Sequence, residues 1–443
     1  MLSIEHGAVV VPRSNRKRLG VGFALIGLLM LPVTSLQAAE NTITLQTAIQ
    51  RTLAKNPSLK VFDFRQQALK GELATAELRP AYELNFEAEN FAGSGDLNGF
   101  DQAELTISLS SALELGGKRD ARVEVVNRGF SRFEAQRQAD ALDLSGEVTR
   151  RFIDVLAAQQ RVVLAEKADQ LAKEALVAVK TKAKAGASPD AEVKRAEAAA
   201  AQAHLTVSAE KKQLSYLNVA LGSLWGETKP DFNRAEGDLY RFSKDVTFDT
   251  LYERVELNPA IQVFAAEERL KETELRLAKT QSRSDVNWSV GLRRFQETDN
   301  TAVVAGFSVP LFSGRRNSGA VRSATAARDV ISVQREAALL TMRAQLYRAY
   351  SNRQQAIHTV DDLRKNIVPA LEQALEGTQQ AYERGRYSYV DYVSARQELL
   401  SARRTLIDAA AAALRYGADI EQLTAEPLTV EQYSFTNFQG AKQ

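Results

Sequence analysis

The sequence contains no cysteine. Disulfides, thiolate metal sites and thiol catalysis are therefore excluded, as is the acylated N-terminal cysteine of bacterial lipoproteins. Histidine is nearly as scarce: His6, His204 and His358 are too few and too scattered to suggest an imidazole metal centre. Neither sign of charge dominates. Lys and Arg total 57 against 55 Asp and Glu, a net charge of +2, which argues against a nucleic-acid binder held by phosphate contacts. No phosphate-binding glycine loop, HExxH helix or paired-carboxylate arrangement stands out. No enzyme activity, cofactor, resident metal or catalytic residue is expected.

The N-terminus reads as a targeting segment. Arg13, Arg16, Lys17 and Arg18 precede an apolar run over residues 19–33, and Ala38 and Ala39 follow. This is the basic, apolar and cleavage-site order of a secretory signal. A transmembrane anchor is the alternative, but the run holds Gly20, Gly22, Gly27 and Pro32. It is also shorter than the roughly 20 residues a spanning helix needs. Residues 1–39 are read as a signal peptide, and the exported remainder has no run apolar and long enough for a membrane helix.

The remainder carries an internal duplication. Residues 45–78, containing Asn56-Pro57, have a counterpart at 251–280 containing Asn258-Pro259. ELGGKRDAR, ending at Arg122, parallels LFSGRRNSG, which aligns Gly117 with Gly314. KAGASPDAEVKRAEA parallels ERGRYSYVDYVSARQ, which aligns Gly186 with Gly385. The three pairs share an offset of about 200 residues, far too long for a solenoid repeat. A whole supersecondary module is repeated. The expected organisation is a first repeat at 40–226, an equatorial linker at 227–250, a second repeat at 251–426 and a tail at 427–443.

Within each repeat the hydrophobic period changes in the same order. Leu45, Ala48, Ile49 and Leu53 recur at helical steps. Tyr82, Leu84, Phe86 and Ala88 then alternate with polar residues, as do Leu105, Ile107 and Leu109 beyond the loop FAGSGDLNGFD. In the second repeat Val286, Trp288, Val290 and Leu292 alternate, and Val303, Ala305, Phe307 and Val309 follow the turn QETDNT. Hairpins are expected at 81–115 and 286–310. An ordinary half-buried sheet is one reading. The other is a set of tilted outer-membrane strands. Four strands cannot close a barrel, for which about eight are needed, and open edges are not tolerated in lipid. The membrane reading therefore requires several chains.

After each hairpin comes a long helical stretch. From Gly117 to Gly186, and from Gly314 to Gly385, the reach is roughly 100 Å as helix. Proline is absent from the first stretch, and Pro369 alone interrupts the second. Gly186 and Gly385 are expected to reverse the chain. Returning arms then run to about Trp225 and Leu423, roughly 60 Å each. Added to one helix over 45–78 or 251–280, a returning arm matches one long helix, as a wall of uniform height requires. A soluble coiled-coil scaffold is the competing reading. It leaves the export signal and the two matched hairpins unexplained.

Over nearly its whole exported length the chain resembles the TolC-type outer-membrane efflux proteins. The duplicated Asn-Pro helix, the hairpins and the turns GASPDAE at 186–192 and GRYSYVD at 385–391 carry the likeness. The resemblance implies a mixed membrane protein: a trimeric twelve-stranded β-barrel, four strands per chain, continuous with a long periplasmic α-helical barrel. SSALELGGKRDAR, from Ser110 to Arg122, is similar to the heavy-metal branch, whose members serve cobalt–zinc–cadmium or copper–silver resistance-nodulation-division pumps. By that resemblance, tips near 186 and 385 meet a periplasmic adaptor through Ala185, Gly186, Ala187, Arg384, Gly385 and Arg386. Asp391 falls where relatives place an acidic ring at the periplasmic constriction, while Ser394 stands where a second acidic residue is usual. A helix-end charge favourable to the macrodipole is an equal reading of Asp391.

The implied function is passive conduction of heavy-metal cations across the outer membrane. The implied partners are two further copies of the chain, an adaptor, an inner-membrane pump and outer-membrane lipid. A multidrug or protein-secretion conduit is the alternative within that class, and a soluble periplasmic adaptor is the alternative outside it.

Overall fold

The computed structural model describes residues 41–428. The expected signal peptide and residues 429–443 of the expected tail lie outside the described residues. Strand β1 (Thr42–Thr44) leads into α1 (Leu45–Lys55) and α2 (Pro57–Ala76). Strands β2 (Glu83–Glu89) and β3 (Glu104–Leu113) precede α3 (Lys118–Lys184) and the returning α4 (Asp190–Gly222). After β4 (Arg234–Glu236) the order recurs. Helices α5 (Phe248–Val255) and α6 (Pro259–Gln281) come first, then strands β5 (Val286–Phe295) and β6 (Asn300–Ser308). Helices α7 (Ser313–Asp362), α8 (Val368–Glu383) and α9 (Tyr389–Thr424) complete the series. Among the described residues no helix is long and apolar enough to cross a membrane.

The segments 45–78 and 251–280, expected as single helices, are each broken at Asn-Pro. A residue before proline is pushed out of the α region, and proline lacks the N–H an interior position would use. Asn56 and Asn258 sit at ψ 127° and 133°, and each caps the helix beginning at the following proline. Asn56 Oδ1 accepts the Ser58 N–H at 2.7 Å, and Asn258 Oδ1 accepts the Ala260 N–H at 2.8 Å. Their amides face the other way. Asn56 Nδ2 donates to the Leu224 carbonyl at 2.7 Å, just beyond the end of α4. Asn258 Nδ2 donates to the carbonyls of Gln422 and Leu423 at 2.8 and 2.9 Å, in the last turn of α9. One side chain thus starts one helix and satisfies the frayed end of another.

Helix α3 runs 67 residues without a break, about 100 Å of rise. Helix α7 runs into a π-helical turn at Leu363–Ile367 immediately before α8 and Pro369. The wider turn accommodates the proline, which can neither donate a hydrogen bond nor sit against the carbonyl four residues back. The interruption expected from Pro369 is therefore a local widening, with helical dihedrals kept on both sides.

Small side chains let α3 and α9 approach closely: Ala157, Ala158 and Ala165 on α3 and Ala402, Ala410 and Ala411 on α9 are buried. Arg150–Asp419 at 3.0 Å, Asp154–Arg415 at 3.3 Å and Arg161–Asp408 at 2.6 Å run along the same pair. These ion pairs are half-exposed and contribute at most about 1 kcal/mol each. Their constant antiparallel step fixes the register between the two halves. Burial raises the Asp154 carboxyl above its usual range despite the neighbouring Arg415 and Arg161.

The main core lies midway along the helices, where Phe152, Leu156, Leu221, Trp225, Phe232, Leu239, Val360 and Ile407 pack together. The connection between the halves is stitched onto it. Gln159 hydrogen bonds both the N–H and the carbonyl of Ala235, at 2.7 and 3.0 Å. The buried Arg353 guanidinium donates to Asp245 at 2.7 Å and to the Ser243 carbonyl at 2.8 Å.

Side by side, the elements form a curtain. The sheet runs β2-β3-β5-β6, antiparallel throughout, while β1 and β4 make a separate parallel pair. Near the sheet the helices neighbour one another as α2-α3-α6-α7; further away the order is α4-α3-α9, with α7 and α8 on α9. One edge is therefore β2, α2 and α4, and the other is β6, α7 and α8.

Candidate functional site

Two regions carry the sequence-predicted functional features, the four-stranded sheet and the far ends of the helical hairpins. In the sheet the pairing puts Leu84 opposite Leu109, Leu109 opposite Val290 and Val290 opposite Ala305. Side chains alternate across a strand, so Leu84, Phe86, Leu105, Ile107, Leu109, Val290, Leu292, Val303 and Phe307 share one face. All are exposed, Phe307 to 82%. An unpartnered apolar surface of this size on a soluble protein is a liability. The opposite face carries Glu83, Asn85, Glu87, Ser108, Ser110, Asn287 and Ser289, with Arg293 held between Glu89 and Glu104 at 2.9 Å from each. One face suits lipid and the other suits water.

Aromatic rings gather where the strands run into the helices. Tyr82 contacts Trp288 edge-on with centroids 6.3 Å apart, and Trp288 is paired with Phe307. Phe91 and Phe100 stack at the loop end, centroids 6.1 Å apart.

At the far ends of the helices, Gly186 and Gly385 both have φ of +75°, a conformation that only glycine adopts without cost. The two turns match bond for bond. The Gly186 N–H donates to the Ala183 carbonyl and the Ala187 N–H to Lys182; the Gly385 N–H donates to Tyr382 and the Arg386 N–H to Ala381. These bonds occupy the last carbonyls of α3 and α8. Ala185, Gly186 and Ala187 at one tip, and Arg384, Gly385 and Arg386 at the other, are all exposed.

Asp391 lies in the first turn of α9. Its Oδ2 accepts the Ser388 N–H at 3.0 Å and the Ser388 hydroxyl at 2.7 Å, while Ser388 Oγ accepts the Asp391 N–H at 3.2 Å. This reciprocal capping box realises the helix-end reading. The Ser388 hydrogen bonds hold the carboxyl below the usual range. Both capping bonds fall on Oδ2, and the side chain remains exposed. Ser394 lies on the same face and donates to Glu398 at 3.3 Å. Glu398 is one heptad beyond Asp391 and faces away from the buried stripe Tyr389, Tyr392, Arg396 and Leu399. Asp391 and Glu398 thus place two exposed carboxylates on one face of α9. The seven-residue spacing was the available signal.

Sequence reading also missed what joins the two tips. Lys182 lies 3.9 Å above the Tyr382 ring and its ammonium donates to the Tyr382 carbonyl. Tyr382 in turn stacks on Tyr392, centroids 5.8 Å apart, and contacts Tyr389. Burial pushes all three phenols above their ordinary range. Lys182 lies 200 residues from Tyr382 in the chain, so no local pattern showed the contact.

A family model described as outer membrane efflux protein matches residues 48–227 and 250–426. The chain is 25% identical to the cobalt-zinc-cadmium resistance protein CzcC of Cupriavidus metallidurans, over 85% of this chain and 88% of that protein. It is 26% identical to the nickel-cobalt-cadmium resistance protein NccC of Alcaligenes xylosoxydans xylosoxydans, over 69% of each. Its fold is similar to that of the outer membrane protein VceC from Vibrio cholerae, with a TM-score of 0.67 and 19% identity. That likeness covers 87% of this chain and 96% of the other.

Proposed function

Because the chain belongs to the outer membrane efflux protein family, we propose that three copies close into one conduit that passively conducts heavy-metal cations out through the outer membrane. The observation that carries this reading is the open sheet, apolar on one face, polar on the other and unpaired at both edges. Lipid tolerates no free strand edge, so β2 of one copy must meet β6 of the next. Two copies would supply about eight strands, whose interior is filled by side chains, whereas three supply about twelve and leave a lumen.

The helices support the same head-to-tail contact. Exposed apolar residues gather on the edge helices: Phe64 on α2 and Leu205 and Tyr216 on α4, against Val333, Leu340 and Tyr347 on α7. Unlike surfaces meeting around a ring give closed rotational symmetry. The recurring element order supports a duplicated unit, with repeats at 40–226 and 251–426 about the linker at 227–250. The tips around Gly186 and Gly385 are the adaptor contacts in this proposal, and an inner-membrane pump loads the cargo. The names of CzcC and NccC favour divalent heavy-metal cations over drugs or secreted proteins.

Deleting the gene and restoring it tests the cargo. Cobalt, zinc, cadmium and nickel tolerance should fall on deletion and return with the gene, while drug tolerance stays level. Altered drug tolerance with unchanged metal tolerance would overturn the metal assignment and favour the multidrug reading.

In this proposal Asp391 and Glu398 ring the periplasmic constriction. Three copies of two carboxylates around one axis attract cations. Asp391→Asn and Glu398→Gln together should weaken block by divalent cations in planar bilayers several-fold. Unchanged block would leave Asp391 with its capping role alone. That capping role has its own pH signature. A lowered carboxyl contributes above its unfolded pKa and loses that contribution as pH falls through the folded value.

A further inference from the structure

Each of the four crossings between strand and helix carries cations. Arg79 precedes β2, Lys118 and Arg119 follow β3, Arg283 precedes β5, and Arg315 and Arg316 follow β6. The sequence parallel between GKR at 117–119 and GRR at 314–316 places two of these groups at equivalent points of the halves.

Two of the six are engaged. Lys118 is buried against Asp285 at 2.7 Å, and Arg119 is 3.9 Å from the exposed Asp120. Arg79, Arg283, Arg315 and Arg316 are exposed and make no ion pair or side-chain hydrogen bond among the described residues. The α7 pair is locally unfavourable. Two cations sit at the positive end of a helix dipole whose first turn holds no acidic residue. Among the described residues of one copy no acidic side chain pairs with either cation.

The cations lie at one level, beside the apolar face. Tyr82, Trp288 and Phe307 border them on the strand side, and the exposed Leu311 and Phe312 lie between β6 and Arg315. The loop end of the sheet is different. Its exposed charges include Asp101, Glu297 and Asp299, and its exposed Arg294 is already paired with Asp299. Of the two ends of the sheet, the helix end is the one where exposed arginine stands without an ion pair among the described residues.

We infer that this arginine collar binds the phosphate headgroups of anionic glycerophospholipids in the inner leaflet, directly below the aromatic belt. The inference rests on the proposed membrane insertion of the sheet. Aromatic rings settle at the depth of the headgroups, and long arginine side chains extend from an apolar border to the phosphate layer. Complementary charge argues for an anionic lipid, and continuity with the lipid-facing strands argues for a membrane rather than a protein partner. The collar fixes the depth and direction of the barrel by electrostatics.

The test uses the full chain purified in detergent, as wild type and as the variant R79Q/R283Q/R315Q/R316Q. Both are offered vesicles of phosphatidylcholine alone or with about one-fifth phosphatidylglycerol, in which each arginine near the anionic surface should be worth about fivefold in partition. Native mass spectrometry of the recovered protein identifies retained lipid. Wild type should prefer the anionic vesicles and retain phosphatidylglycerol, with a preference that fades as salt is raised. The variant should insert with unchanged single-channel conductance and lose the preference. Equal insertion of wild type into both vesicles, a preference kept by the variant, or retention of lipopolysaccharide in place of phosphatidylglycerol would each overturn the collar. Failure of wild type to insert into either vesicle would overturn the membrane reading itself, and the collar with it.

Discussion

Val290→Arg is expected to remove the protein from the outer membrane, while Ser289→Arg one residue earlier leaves it there. The two positions are neighbours on β5 but lie on opposite faces of the sheet. Val290 is half-exposed among Leu109 and Ala305; Ser289 is paired with Ser110 and Gly306 on the polar face. An arginine facing lipid near the middle of a membrane strand costs about 2–4 kcal/mol. In the proposed trimer the substitution enters three times, for a total of roughly 6–12 kcal/mol, comparable to the whole stability of a domain. At Ser289 the guanidinium meets water and the neighbouring carboxylates, so insertion survives and only conductance changes. Membrane fractionation, and gel electrophoresis in SDS for the proposed trimer, report both outcomes. Equal loss in the two variants, or equal tolerance, would mean that the apolar face does not contact lipid.

The second large effect is expected at Asn258. This side chain is 2% exposed and makes three hydrogen bonds, one capping α6 and two closing the end of α9. Asn258→Ala removes a cap, typically about 1 kcal/mol, and strands two carbonyls at a buried joint, at about 1–3 kcal/mol. A loss of about 3 kcal/mol per chain is expected, read as a lower unfolding temperature of the detergent-solubilised protein. Asn56→Ala should cost less, because the Asn56 amide serves one carbonyl rather than two. Asn258→Asp separates the two jobs: it keeps the helix cap but turns a carboxylate oxygen onto the two α9 carbonyls in a buried site, so it should cost at least as much as alanine. If aspartate restored full stability, the docking bonds to α9 would contribute nothing.

The Asn-Pro pair shows how far residues alone could be read. Its repetition marked two equivalent segments, and the chemistry of proline predicts a boundary. Helical periodicity on both sides nevertheless suggested one continuous helix. What breaks it cleanly is a partner more than a hundred residues away, the open end of α4 or α9, and no local pattern carries that information. The tips divide in the same way. Gly186 and Gly385 were legible as reversals because a positive φ is a local property of glycine. The Lys182–Tyr382 contact was not, because it exists only once α3 and α8 lie side by side. At Asp391 the capping box follows from Ser388 three residues earlier, and the seven-residue spacing to Glu398 was visible too; that both face away from the core needed the packing of α9.

By itself the sequence determined the local properties: absence of thiol chemistry, the long helix before each tip, glycine turns and the two-residue alternation of the hairpins. Each depends on a residue and its near neighbours, within reach of a helical turn or a strand pleat. The tertiary structure decided which strand pairs with which, and so gathered four separate alternations into one apolar and one polar face. It also decided that Arg79, Arg283, Arg315 and Arg316 stand near the strand–helix crossings without ion pairs among the described residues. Charge pairing and surface contiguity are relations between residues far apart in the chain. Only packing settles whether a cation is neutralised within the chain or left to meet another phase.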